Sequence, residues 1–95
     1  MTYILTTTSN FDKQLKKLDK DTQRFIVKWI KKNLQNCENP RATGKALSAN
    51  LKKYWRYRIG NYRLLTEIND NELVIIAVAV DQRSVIYDKR NTNKL

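Results

Sequence analysis

Apolar positions recur about four residues apart in the first third of this 95-residue chain, and about two apart or in unbroken runs beyond residue 54. Phe11, Leu15 and Leu18 fall at i, i+4 and i+7, on one helical face, and Ser9 or Asn10 can cap that helix. Asp19 and Asp21 break it, and Asp21 or Thr22 can cap the next. From Thr22 to about Gln35, Phe25, Ile26, Trp29, Ile30 and Leu34 form one apolar stripe, with Lys28, Lys31 and Lys32 on the solvent side. The pattern predicts an amphipathic helix of roughly 14 residues, about 20 Å long. With the first helix it predicts an antiparallel helical hairpin.

Strand signals lie on either side of this pair. Tyr3 to Thr7 is short and β-rich, suited to an edge strand. Asn36 to Lys53 holds Pro40 and Gly44, lacks periodicity and reads mostly as loop. Tyr54 to Ile59 ends at Gly60-Asn61, a two-residue hairpin turn, and Tyr62 to Ile68 ends at the turn residues Asn69-Asp70-Asn71. Leu73 to Val80 is apolar and rich in β-branched residues, the composition of a central strand covered on both faces. With Tyr3–Thr7 pairing along its free edge, the expected fold class is α+β. Two N-terminal helices pack on one face of a four-stranded, mainly antiparallel sheet, all in one domain. A short helical turn is expected after Val85.

Bulk composition narrows the chemistry. No apolar run approaches the roughly 18–20 residues that span a bilayer, and MTYILTTTSN lacks the cationic flank of a signal peptide. Cys37 is the only cysteine and histidine is absent. An internal disulfide, a cysteine-based zinc site and the usual transition-metal ligands are thereby excluded. A cytoplasmic protein without cofactor or metal is the expectation. Cys37, in a polar loop, could be reactive, but nothing near it in sequence can serve as its base. Asp and Glu are too scattered for a paired-carboxylate hydrolase.

Charge points to a partner. Nineteen Lys and Arg against nine Asp and Glu give a net charge of +10, a field that speeds encounter with polyanions. The charge is uneven: no acidic residue lies between Glu38 and Glu67, where Arg41, Lys45, Lys52, Lys53, Arg56, Arg58 and Arg63 all fall. Strand alternation puts Arg56 and Arg58 on one face with Tyr54, and Trp55, Tyr57 and Ile59 on the other. Across the Gly60-Asn61 turn, Arg63 shares its face with Leu65 and Glu67. Like charges opposed across strands are destabilising, so a cluster of this kind suits an anionic ligand. An ordinary solvated basic hairpin is the plain alternative. Arg83 and Tyr87 follow the apolar strand, where Tyr87 could stack on a base or donate to a phosphate, or simply anchor the C-terminus. Trp29 and Trp55 read as core aromatics, and Lys13, Lys16, Lys17 and Lys20 as a solvated helix face.

These residues, taken in order, resemble the RelE-type toxins of the RelE/ParE superfamily. The family's usual pieces are a G-K-x-L loop, a W-R-x-R-x-G-x-Y-R hairpin and a terminal R-x-x-x-Y. Here they are matched by Gly44, Lys45 and Leu47; by Trp55, Arg56, Arg58, Gly60, Tyr62 and Arg63; and by Arg83 and Tyr87. FDKQLKKLD and the amphipathic helix also fit, so the resemblance spans nearly the whole chain. It implies a ribosome-dependent endoribonuclease that cuts mRNA in the A site, and an antitoxin protein that neutralises it. It further implies that Arg63 and Arg83 contact the scissile phosphate and that Tyr87 orients the RNA. Arg56, with Arg58 beside it, stands where relatives carry a lysine proposed as base. Lys45, Lys52, Lys53 and Arg58 are the expected RNA-binding cations. Asp81-Gln82 stands where relatives often have Gly-His or Gly-Lys. A ParE-like inhibitor of DNA gyrase and a non-catalytic RNA- or ribosome-binding module are the alternatives.

The expected reaction is attack of a ribose 2′-OH on the adjacent phosphate, giving a cyclic phosphate and a free 5′-OH. The proton carriers available are Lys and Tyr, with ordinary pKa values of about 10.4 and 10. Lys52 or Lys53, crowded among arginines, could have its pKa lowered. Arginine keeps its proton throughout accessible pH, so Arg56, Arg63 and Arg83 can stabilise charge but hardly act as bases.

Overall fold

A computed structural model describes residues 1–47 and 54–82. The expected helical turn after Val85 lies outside them. In chain order the elements are β1 (Ile4–Thr7), α1 (Ser9–Lys16), α2 (Lys20–Asn33), β2 (Lys45–Ala46), β3 (Tyr54–Ile59), β4 (Tyr62–Asn69) and β5 (Val74–Gln82). The fold is α+β. The sheet has five strands, in the order β1-β5-β4-β3-β2, where the sequence pattern gave four. The added strand, β2, sits in the stretch read as loop: two residues are too few to show a period.

Local chemistry accounts for most boundaries. Thr8 caps α1, its Oγ1 accepting from the Phe11 N–H at 3.1 Å, one residue before the expected cap. Asp19 caps α2 by accepting from the Thr22 N–H and hydroxyl, so the residue expected to break the first helix starts the second. Gln23 spans the short connection, donating to the carbonyls of Lys16 and Leu18. Gly60 has φ +59 and Asn61 does not take positive φ, as a two-residue hairpin led by glycine requires. At the other hairpin the Asn69 side chain accepts from the Glu72 N–H, and Leu73 closes the turn at φ +57.

β5 runs through the middle of the sheet, parallel to β1 and antiparallel to β4. A bulge at Val78 breaks its register, since Leu65 pairs with Ala79 but Thr66 with Ala77. The carbonyl this turns away from the ladder accepts from Asn10 Nδ2 and Thr8 Oγ1, which ties α1 to the strand. Coverage of β5 differs from expectation. Ile75, Ala77 and Val80 are buried on the helix side, whereas Val74, Ile76 and Ala79 on the other face are only half-buried.

One core forms between that inner face and the helices. Phe11 of α1 and Ile26, Ile30 and Leu34 of α2 meet Tyr57, Ile59, Leu64, Ile75, Ala77 and Val80. The apolar stripe of α2 is narrower than its sequence suggests: Phe25 stays 52% exposed, lying over Gly60. Ile26 is completely buried. Ile26→Ala is expected to cost about 3 kcal/mol, seen as a loss of 10 °C or more in thermal melts. Phe25→Ala should change stability by under about 1 kcal/mol; the reverse ranking would refute this core.

Candidate functional site

The inner face of the β3–β4 hairpin decides its outer face. Tyr57, Ile59 and Leu64 are buried, so alternation sends Arg56, Arg58 and Arg63 to the opposite side, as expected from sequence. Register then builds two rows. Arg58 pairs with Arg63, and Arg63 with Asp81. Lys45 of β2 pairs with Arg56, and Arg56 with Leu65. Directly opposed residues hold their Cβ atoms about 5 Å apart, so four cations gather within two neighbouring rows. Among the described residues Lys45, Arg56 and Arg58 have no ion-pair partner.

These cations line a groove of about 540 Å³ that also takes in Thr43 and Gly44 of the preceding loop and Trp29, Asn33 and Tyr57. No described carboxylate lines it. The groove lies where the sheet ends. β2 covers β3 only beside Trp55 and Arg56, and among the described residues no strand pairs with the stretch from Tyr57 to Ile59 on that side.

Loop 39–44 presents Lys45 to the groove and is pinned at several points. Arg41 makes a bidentate pair with Asp70, at 2.9 and 3.0 Å, and lies 5.9 Å from the Trp55 ring centroid. Tyr3 also donates to Asp70, at 2.7 Å. The Tyr57 hydroxyl donates to the Pro40 carbonyl, and Trp55 Nε1 to the Thr43 carbonyl at 2.7 Å. Gly44, at φ +82, is pressed against β3. A Cβ there would sit 2.6 Å from Trp55 Nε1 and inside the Arg56 carbonyl oxygen. Arg41 thus leaves the cationic set in which its sequence position placed it. Hydrogen bonding from Arg41 and Tyr3 holds the Asp70 carboxyl below its ordinary pKa. Burial holds the Tyr57 hydroxyl well above the ordinary tyrosine range.

Of the residues expected at the site, Lys45, Arg56, Arg58 and Arg63 come together; Lys52, Lys53, Arg83 and Tyr87 lie outside the described residues. Asp81 falls opposite Arg63, on the same face. Cys37 is half-buried, and burial raises its pKa, which works against thiolate reactivity. Trp29 and Asn33 were missed as groove residues. Their signal was present in the four-residue spacing of Phe25, Trp29 and Asn33, a row flanking the Ile26–Ile30–Leu34 core row.

The family described as "ParE toxin of type II toxin-antitoxin system, parDE" matches residues 5–87. The chain belongs to the RelE/ParE family of type II toxins. Among solved structures, this toxin is similar to a chain of the RelBE2 toxin–antitoxin complex from Mycobacterium tuberculosis. The two are 27% identical over 88% of this chain and 94% of that one, with a TM-score of 0.79. It is similar to a chain of the RelB–RelE complex from Methanococcus jannaschii, with 27% identity, 87% and 95% coverage and a TM-score of 0.64. The isolated RelE toxin of E. coli shares its fold at 21% identity, with 98% and 99% coverage and a TM-score of 0.67. The comparison with curated proteins gives no match. No described helix of the toxin is long and apolar enough to cross a membrane.

The Asp70 anchor has a pH signature. Its lowered carboxyl pKa contributes stability above the ordinary carboxylate pKa of 3.8, and that contribution is lost as pH falls further. Asp70→Asn should melt below wild type at pH 6, with the gap narrowing progressively as the pH falls below 3.8. A gap that persists at acid pH would mean that charge on Asp70 is not what holds the loop.

Proposed function

We propose that this toxin is a ribosome-dependent endoribonuclease that cleaves mRNA through attack of a ribose 2′-OH on the adjacent phosphate. The bond from phosphorus to the 5′-oxygen breaks, leaving a 2′,3′-cyclic phosphate and a free 5′-OH. The observation that carries this reading is the groove itself, where Lys45, Arg56, Arg58 and Arg63 converge and no described carboxylate enters. Guanidinium groups grip phosphate oxygens through paired N–H donors and stabilise the charge that builds on them. Without histidine, the protein's main contribution is charge stabilisation by Arg56 and Arg63, joined by Arg83, with Tyr87 orienting the RNA. In-line geometry comes from the ribosome. A lysine, Lys52 or Lys53, is the candidate proton acceptor. The substrate places the action in the cytoplasm.

The solved relatives include two toxin–antitoxin complexes, RelBE2 and RelB–RelE. The corresponding partner here is an antitoxin that lays an amphipathic helix on the toxin and brings acidic residues to the cationic face. A second reading, inhibition of DNA gyrase without cleavage, is favoured by one observation: Asp81 stands opposite Arg63, where an acid opposes phosphate binding.

Primer extension on a translated message decides between them. Wild-type toxin should give new 5′ ends within codons, and Arg63→Ala should reduce them about 100-fold, as for removal of one donor to a developing oxyanion. An intact message with wild-type toxin sinks the nuclease reading, and gyrase-dependent DNA breaks would then support the second.

A further inference from the structure

The groove has a wall that the phosphate contacts leave unused. Phe25, Trp29 and Asn33 form one row along α2, and the last two reach the groove. Trp29 is half-buried, its ring centroid 5.7 Å from that of Tyr57 with the planes tilted by 56°. Asn33 is exposed, and its Nδ2 donates to the Trp29 carbonyl at 2.9 Å. That bond fixes the amide and leaves Oδ1 and one N–H without a partner among the described residues. Because β2 stops short, the indole and amide on the helix side share one open space with Arg56, Arg58 and Arg63 on the other.

A cationic rim beside an aromatic wall and a free amide is the combination that binds single-stranded nucleic acid: charge tracks the backbone, stacking takes a base, and an amide reads its edge. The volume, about 540 Å³, lies in the range that accepts a small organic ligand, and so admits one nucleotide. We propose that Trp29 and Asn33 form a nucleobase subsite. One base of an RNA held on Arg56, Arg58 and Arg63 turns over the open edge of β3 and stacks on the Trp29 indole. Asn33 Oδ1 accepts from its exocyclic amino group and the remaining N–H donates to the neighbouring ring nitrogen. That pattern takes adenine or cytosine and refuses uracil, whose edge offers a carbonyl where the amine must be. The inference rests on the reading of the groove as an RNA site.

The test is equilibrium binding of the full chain to short single-stranded RNAs, made uncleavable by 2′-deoxy substitution, with an abasic position walked along the strand. Arg63→Ala serves as the control for RNA binding as such. Trp29→Ala should weaken binding roughly 10-fold. Trp29→Phe, which keeps a ring against Tyr57, should stay within about threefold of wild type. At one abasic position wild type and Trp29→Ala should bind alike, because the base that would stack is gone. Asn33→Ala, an exposed change, should erase the preference for adenine or cytosine over uracil at that position. If Arg63→Ala weakens binding while the Trp29 and Asn33 variants behave as wild type, the subsite is wrong and the RNA reading stands. Equal loss in Trp29→Ala at every abasic position would likewise assign Trp29 a purely structural role. If wild type and Arg63→Ala bind equally, the RNA reading falls and the subsite with it. An acidic peptide displaced by Trp29→Ala where RNA is unaffected would assign the wall to a protein partner.

Discussion

Tyr57 and Ile59 are buried under α2, and a strand offers its side chains to alternate faces, so Arg56 and Arg58 have only the outer face available. The two-residue turn at Gly60 then fixes which residue of β4 lies opposite which of β3, and Arg63 lands across from Arg58. Opposed like charges cost up to about 1 kcal/mol on an exposed face. Burying each large apolar side chain contributes about 1.5–3 kcal/mol, and a one-residue slip would turn Tyr57, Ile59 and Leu64 out together. The core therefore wins by a wide margin, and the cationic cluster is held in place by apolar contacts on the other side of the sheet.

The edge of the groove depends on different forces. Loop 39–44 brings few apolar side chains to the core and is held by polar contacts that converge on Asp70 and on the rings of Trp55 and Tyr57. Exposed ion pairs contribute little singly. Here one carboxylate answers both Arg41 and Tyr3 in a two-pronged geometry, so the loop is tethered by a small network. Gly44 closes the arrangement, because only a residue without Cβ lets the chain approach the Arg56 carbonyl and leave at positive φ. Lys45 reaches its place opposite Arg56 through that approach.

Much of this was legible in the residues. Alternation in YWRYRI separated the arginines from the core side chains, and Gly60-Asn61 marked the hairpin. The parts that were not legible share a cause: they depend on elements distant in sequence. β2 is two residues long and exists because Gly44 can lie on β3, a contact with no local signature. Arg41 belongs by sequence to the basic stretch between Glu38 and Glu67, but the fold sets it against Asp70, 29 residues away. Trp29 and Asn33 stand in a row beside the core row of α2, and only the end of the sheet next to them shows that this row lines a groove. The caps moved by a residue or two because several capping residues stand side by side, and at α1 tertiary bonds such as Thr8 to the Ala77 carbonyl favour Thr8 over the intrinsically better caps Ser9 and Asn10.

The sheet's two edges are treated differently, and the contrast bears on what the cations are for. At β1 and the residue before it, the backbone is covered by the segment that follows α2: the Tyr3 N–H donates to the Cys37 carbonyl, the Asn36 N–H to the Tyr3 carbonyl and the Leu5 N–H to the Gln35 side chain. On β3 the only strand cover among the described residues is β2, which itself carries Lys45 and pairs beside Arg56. Exposed strand edges invite pairing with other chains, and short edge strands bearing positive charge discourage it. A basic edge alone would meet that need with lysines placed anywhere along it. It would not call for four cations ranked in two rows against an indole and an amide, with Gly44 and Asp70 committed to holding the loop that completes them. The charge discourages other copies of the chain from pairing along this edge, while register and the adjoining groove set how the four cations are arranged.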